Sequence, residues 1–496
     1  MKPLCLVMLF CVFFAYAQTP ADEADFFAVV EGEAVVEGEA VVEGEETAAT
    51  EEAIVPFTYY DGGDGKRHFF WALGGGVFAN TVLHLRSRFL GGEDWSKVNF
   101  GTMKDNFREL RDGKLIWDYD IYATNMIGHP YQGALYYTAA RANGFTFWES
   151  LGFSFFGSAA WEFLLENIEP SKNDLVVTPT GGAQMGEMLH RLHREIANPF
   201  GAFFVSPMDS INRVSGRKPY RGERNMYTTA AEAGASWVKA EHTAKDRSVI
   251  DDEEKIGLDI GTRLIYGNPF VQQSKTPYDH FELSVNLGGA LPSFYYIKII
   301  SDGYVFSVLL ANDAKKQMSS GLSLHYDVFA SSFFDFSSQG IAWTAKYRRE
   351  LTKNASMELK THAGWTYFGA QNYYREDAPG EFSSFRDYSM GPNGKVFFSL
   401  IHKRLGRLDL DVMLYRYFIV FSEPKIPDAK GVDYFIFADI AYTFPLSERF
   451  SVGVSESFSR KMGYYTNVRN NAKWNNTVKV FLRWSAAGHA YPRNWK

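Results

Sequence analysis

Ile256-Gly257-Leu258-Asp259-Ile260-Gly261-Thr262-Arg263-Leu264 alternates Ile, Leu, Ile, Thr and Leu with Gly, Asp, Gly and Arg. A period of two places the first set on one face of an extended strand and the second on the other. The pattern returns at Phe281–Leu287, Leu322–Val328, Met357–Thr361, Leu408–Leu414 and Val478–Trp484. About thirteen such segments fit between residues 226 and 486, each long enough to cross a bilayer when tilted. Short connections near Leu291-Pro292-Ser293, Thr352–Asn354, Leu405–Arg407 and Pro445–Ser447 alternate with longer polar ones near 331–339, 371–391, 422–431 and 467–475. That asymmetry is expected of an outer-membrane barrel, with turns periplasmic and loops outside. Counted backward, the segment near Met226 would begin outside, which asks for a further strand around Phe200–Val205 or Phe69–Phe78 and an even total of twelve or fourteen. A soluble sandwich would alternate too, but its exposed faces would be polar.

Composition agrees. Of 496 residues, 46% are hydrophobic and 16% aromatic, yet the mean hydropathy is only −0.23. An excess of aromatics without high hydropathy excludes a helical membrane bundle and fits a barrel in which alternate residues meet lipid. A net charge of −7 argues against a nucleic-acid binder with a broad basic face. Tyr266, Tyr295, Tyr296, Trp365, Tyr367 and Trp484 lie at strand ends, where aromatic girdles are expected.

The amino-terminal region is of another kind. Residues 1–17 carry Lys2, an uncharged run and Ala15-Tyr16-Ala17, the pattern of a secretory signal. Both cysteines, Cys5 and Cys11, lie within it, so the mature chain is expected to lack disulfides and thiolate chemistry. Residues 18–53 hold three copies of Ala-Val-Val-Glu-Gly-Glu among twelve acids and no base, and read as an acidic linker able to reach a periplasmic partner. Residues 54–225 form a helical or mixed segment, and 226–496 the barrel. Helices are expected at Tyr131–Ala142, Phe147–Glu166 and Gln184–Ile196. Only twelve uncharged residues separate Glu149 from Glu162, too few to span a bilayer. The expectation is therefore that the segment plugs the barrel or caps its periplasmic mouth.

Glu162 and Glu166 are one helical turn apart. With His129, Asp174 or His190 beside them they could bind a metal or serve as acid and base. The structural alternative, a polar network fastening the helices to a charged inner wall carrying Arg263, Lys360 and Arg483, is favoured. His129, Glu162 and Asp174 are the candidate catalytic groups, and Arg141, Trp161, Glu166, Glu187 and His190 the candidate structural network; no metal or cofactor is expected. His190 and His193 lack the H-E-x-x-H pattern of zinc proteases, and no G-x-S-x-G elbow accompanies Ser171.

Gly128-His129-Pro130-Tyr131-Gln132-Gly133, Tyr136-Tyr137, Ala140-Arg141, Gly144, Trp161-Glu162-Phe163, Glu169-Pro170-Ser171, Thr178-Pro179 and Gly186-Glu187 form an ordered series of short motifs. The series resembles the domain-of-unknown-function 3943 family of bacterial outer-membrane proteins, over roughly residues 115–195. The resemblance implies an outer-membrane address in a diderm bacterium and a barrel context; it brings no activity or catalytic residue. Three classes of function stay open: a passive or plugged channel, an enzyme acting on outer-membrane lipid, and an envelope structural or assembly protein.

Overall fold

A computed structural model describes residues 66–118, 122–196, 198–214, 225–244, 249–290, 293–313, 315–331, 334–378, 381–422, 430–466 and 470–486. The expected signal, the acidic linker and the last ten residues lie outside this set.

Twelve antiparallel strands close into one barrel, each paired with its sequence neighbours and the first with the last. They are β1 (Met226–Ala244), β2 (Val249–Tyr266), β3 (Phe281–Ala290), β4 (Ser293–Asn312), β5 (Lys316–Ser331) and β6 (Asp335–Thr352), then β7 (Ala355–Ala378), β8 (Glu381–His402), β9 (Gly406–Ser422), β10 (Gly431–Pro445), β11 (Phe450–Tyr465) and β12 (Asn471–Ser485). Closure runs from Ala230 opposite Ser485 to Ala244 opposite Asn471. The ring leaves no edge strand with unpaired backbone groups.

The upstream strand expected at 69–78 or 200–205 is replaced by helices, and the barrel closes without it. The reason is an error of parity. The connection at 291–292 lies at the end opposite to 353–354, 403–405 and 446–449. Polar residues at 371–378 continue the β7–β8 ladder instead of forming a loop. β1 begins, and β12 finishes, at the end that carries those short turns. This is called the terminal end below, and the other the distal end.

Charge pairs identify which face of each strand looks inward. Lys298 of β4 meets Asp439 of β10 at 2.5 Å, joining strands six places apart in a ring of twelve. Lys395 of β8 reaches Asp327 of β5 at 2.5 Å, and Lys360 of β7 reaches Asp302 of β4 at 2.7 Å. Arg263, Lys360 and Arg483 line the lumen as expected. Toward the distal end, Phe329, Phe334, Phe336, Met413, Tyr415, Tyr417, Phe435 and Phe437 pack into one inner apolar cluster. The outward set, including Leu410, Leu414, Val480 and Leu482, is exposed.

On β3 to β8 part of the outward set is covered. Leu283, Val285, Leu287, Ile297, Ile299, Tyr326, Val328, Phe368 and Tyr388 are buried in a second cluster together with Met126, Tyr137, Phe147, Val177, Met188 and Leu192. Tyr326 stands between inward-facing His325 and Asp327, and its hydroxyl bonds the Met126 carbonyl. The helices therefore pack on the outside of the barrel wall. Side chains of the strands themselves cross the bore.

The helices are α1 (Phe69–Leu85), α2 (Phe100–Arg111), α3 (His129–Arg141), α4 (Phe147–Ala160), α5 (Asp174–Glu195), α6 (Pro199–Val205) and α7 (Pro207–Val214). Pro130 occupies the first turn of α3, where its missing N–H costs nothing. Thr146 and Glu149 form a reciprocal capping box that starts α4. Two π-helical turns, Thr124–Gly128 before α3 and Trp161–Leu165 after α4, extend those helices. α5 begins ten residues before the expected Gln184 and carries Pro179 inside it.

α5 lies along the wall. Thr180 donates to Gln339 (2.6 Å) near the distal end, Gln184 to Tyr367 (3.2 Å), and Arg191 to the Pro277 carbonyl (2.8 Å) at the terminal end. α3 runs parallel to it: His129 lies beside Asp174, Gly133 against Gly182, and Arg141 beside Glu187. A Cβ on Gly133 would collide with the Thr178 carbonyl, so only glycine permits that backbone approach. α4 runs the other way, from Phe147 stacked on Tyr278 to Ser158 bonded to the Asp174 carbonyl. α1 is also antiparallel to α3. His68 bonds Asn143, Gly75 touches Ala139, and Asn80 donates to the Gly157 carbonyl at 3.2 Å. Four helices thus pass alternately up and down one side of the barrel.

Candidate functional site

Two polar centres lie inside the helical layer, and a third fills the lumen.

The first is at the distal end. α3 opens with His129 and α5 with Asp174, and their parallel alignment brings His129 Nε2 to 3.6 Å from Asp174 Oδ1. Asp118 completes a set of three whose ligand atoms all lie within 4.8 Å of one another. The π-turn after α4 turns Glu162 inward, where Oε2 accepts the Ser171 N–H (2.7 Å), and Glu166 Oε1 accepts the Trp161 indole (2.6 Å). Asn106 of α2 donates to the carbonyls of both Glu162 (3.2 Å) and Glu166 (2.9 Å). The outer barrel wall closes the centre. Tyr388 donates to the Asp118 carbonyl (2.8 Å), and Asn125, with its amide turned to suit both neighbours, links Asp118 (3.1 Å) to Arg386 (2.8 Å).

His129, Glu162, Glu166 and Asp174 are therefore gathered as the sequence suggests, with Trp161 holding one carboxylate. Asp118 was missed: it sits outside any periodic segment, and only its place next to Trp117 in an aromatic, acidic stretch marks it. One imidazole and two carboxylates so placed have the donor types and spacing to chelate a divalent cation. They equally suit proton transfer between a carboxyl and an imidazole. The Ser171 hydroxyl, bonded to Asn173 (2.9 Å) and accepting from the Asp174 N–H (3.2 Å), fastens the start of α5.

The second centre is nearer the terminal end. Glu187 is fully buried and takes Arg141 Nε at 2.7 Å, Arg191 Nε at 2.8 Å and the Tyr137 hydroxyl at 2.7 Å. Arg191 continues to Asp279 at 3.3 Å, tying the helices to the connection between β2 and β3. Arg141 and Glu187 thus form the structural network expected of them. Those ties reach the outer wall and a connecting segment, not the charged inner wall, because the helices lie outside. His190 stands apart from Glu162 and pairs with Asp209 of α7 (2.8 Å), while His193 meets Ser210 (2.9 Å). Although burial opposes it, His190 beside Asp209 holds that carboxyl below the usual range.

The lumen is the third. Below the aromatic cluster, a cavity of ≈ 180 Å³ is lined by Glu232, Arg263, Lys360, Asp409, Asp411 and Asp439, among others. Lys479 and Arg483 both reach Glu232, at 2.9 and 2.7 Å. Tyr296, expected in an outer girdle, instead lines this cavity and bonds Asp259.

Residues 114–214 match the family model described as Domain of unknown function (DUF3943). That span contains the distal centre, Glu187 and α3 to α7, and none of the barrel strands. None of the curated proteins matches the chain in sequence. Among solved structures, the NanC porin is 9% identical, with 49% of this chain and 98% of that chain covered and a TM-score of 0.22. An outer membrane channel from Pseudomonas putida F1 is 10% identical, over 54% of this chain and 98% of the other, with a TM-score of 0.26. The P. putida toluene transporter TodX is 7% identical, over 54% and 91%, with a TM-score of 0.23. The barrel itself rests on the ladder of twelve strands and not on these distant likenesses.

Proposed function

We propose that the protein is an outer-membrane barrel of a diderm bacterium that works as a plugged channel. One observation carries this reading: a bore lined with charge is crossed by side chains and not by a folded segment. The aromatic cluster around Phe336, Tyr415 and Phe437 blocks the distal half, and Lys298–Asp439 bridges the diameter below it. Such a pore passes solute only when those groups swing aside, and its mixed signs suit small polar solutes over apolar ones. Residues 1–17 would export the chain, and the acidic linker 18–53 would meet a basic periplasmic partner at the terminal end.

Planar-bilayer recording tests it. The wild type should be silent or open briefly, and the combined Phe336→Ala, Tyr415→Ala, Phe437→Ala variant should give stable openings. Silence of a correctly folded variant that carries these three changes together with Lys298→Ala would refute the channel and leave a structural role in the envelope.

The distal centre favours a second reading. We infer that any chemistry on outer-membrane lipid would belong to His129, Glu162 and Asp174, which meet beside the outer wall and away from the bore. His129→Ala and Glu162→Ala should then abolish a lipid change seen by mass spectrometry while the barrel stays heat-modifiable. Unchanged lipid profiles with and without the gene would remove this reading.

A further inference from the structure

The helical layer presents a face that water does not suit. α1 exposes Phe69, Phe70, Trp71, Leu73, Val77, Phe78, Val82 and Leu85, with Phe70 83% exposed. Beside it α4 exposes Trp148, Phe155 and Phe156. An exposed contiguous surface of this size marks an interaction site.

What covers it is written in the ends of α1. Between His68 and His84 no residue is charged; Lys66 and Arg67 precede the helix, and Arg86 and Arg88 follow it. Seventeen residues at 1.5 Å each span about 25 Å, the height of the apolar band around an outer-membrane barrel. α1 runs between the two ends of the barrel, so its basic flanks fall where the bilayer interfaces would be. At the terminal flank, Arg67 pairs with Glu149 at 3.0 Å.

The inner side of α1 is small and polar, as expected of a helix packed on helices within lipid. Ala72, Ala79 and Asn80 are buried, and Gly75 meets Ala139. None of the described helices is long and apolar enough to cross a membrane by itself. α1 need not, because α3 and α4 pack on one side and satisfy Asn80. The uncovered outward residues of the wall, among them Phe306, Val308, Leu310 and Trp343, are exposed and apolar in the same way.

We propose that α1, with the outer side of α4, faces the hydrocarbon of the outer membrane. The helical layer then forms a lipid-embedded buttress that shields the acidic distal centre and Glu187 between itself and the barrel wall. This rests on the outer-membrane reading above.

The test uses the full chain with Cys5 and Cys11 replaced by Ser, reconstituted in phosphatidylethanolamine–phosphatidylglycerol vesicles. Single cysteines at Phe70, Val77, Leu85, Val480 and Asp105 are spin-labelled and exposed to oxygen and to a water-soluble nickel chelate. All these positions are on exposed surface, and heat-modifiable migration confirms the barrel in each variant. Val77→Cys should favour oxygen as strongly as Val480→Cys, with Phe70→Cys and Leu85→Cys shallower and Asp105→Cys open to nickel. A nickel-accessible Val77 beside an oxygen-favouring Val480 would overturn the buttress and leave the barrel in its membrane. Nickel access at both would overturn the outer-membrane reading itself. Loss of access to both reagents at Val77, with spin–spin broadening between copies, would show a second copy on this face and equally refute lipid contact.

Discussion

Replacing Glu187 by Gln tests what holds the helices together. The carboxylate is wholly buried and accepts from two guanidinium groups and a phenol, with both arginines themselves buried. Removing one partner of such a set leaves uncompensated buried charge, at a cost of about 3–5 kcal/mol. The lower end applies here. Arg191 keeps Asp279 and the Pro277 carbonyl, and Arg141 keeps the Phe145 carbonyl at 2.6 Å. Glu187→Gln should therefore destabilise the helical layer by about 3 kcal/mol, while the barrel, whose ladder does not touch Glu187, stays intact. Guanidinium unfolding followed by tryptophan fluorescence measures the first quantity, and heat-modifiable migration the second. Adding Arg141→Met to Glu187→Gln should recover part of the loss, since one stranded charge is then gone. A loss below about 1 kcal/mol, or simultaneous melting of the barrel, would refute the reasoning.

Gly133→Val should destabilise the layer by at least about 1–3 kcal/mol, because the added carbons must push α5 off α3; thermal unfolding would show it. Asp209, whose carboxyl is depressed in the folded chain, contributes stability that is full above its unfolded value of about 4 and is lost as pH falls through the lower folded value. Hydrogen-exchange protection at residues 207–214, taken relative to the intrinsic rate at each pH, should accordingly fall on acidification below about pH 4, and Asp209→Asn should remove that pH dependence. Deleting residues 66–214 should leave a closed barrel electrically silent, since the block belongs to the strands; steady conductance would place the plug in the helices. Deleting Gln18–Ala53 should weaken co-purification of a periplasmic partner without altering conductance.

The barrel was legible because its two faces meet different surroundings, and each strand records that difference at every second residue. Ile256 and Leu258 outward, with Asp259 and Arg263 on the other face, is the order read from the sequence. What covers the outward face was not legible. Leu283, Val285 and Leu287 lie under helices, whereas Leu410, Leu414 and Val480 are exposed, yet all are aliphatic residues in the same alternation. Lipid and a packed helix demand the same side chains of the wall. α1 was hidden for a different reason, the parity of the connections, which asked for one more strand upstream. Within α1, of Gly74-Gly75-Gly76 only Gly75 has a neighbour close enough to require glycine. At the distal centre Glu162 and Glu166 were visible by their spacing, although Glu162 lies in a π-turn and Glu166 is the extended residue after it, whereas Asp118 gains its meaning from folding.

The wall separates two chemistries that the sequence mixes. Inward charges pair with one another inside the bore, as in Lys360 of β7 with Asp302 of β4 and Lys479 with Glu232 of the neighbouring strand. Among the outward polar groups, Gln339, Tyr367 and Arg386 lie where helices receive them, while Glu456 of β11 takes Asn476 of β12. A polar residue aimed at hydrocarbon is costly, so each one on the outer face needs a protein partner at its own height. Gln339 finds Thr180, Tyr367 finds Gln184, and Arg386 finds Asn125. Stripping the helices from the barrel would therefore do more than remove a decoration: it would turn these side chains toward lipid. The helices in turn keep Glu162, Glu187 and their partners buried only while the wall stands behind them. Neither part satisfies all of its polar groups alone: loss of the helical layer leaves the closed ladder standing but takes away these partners.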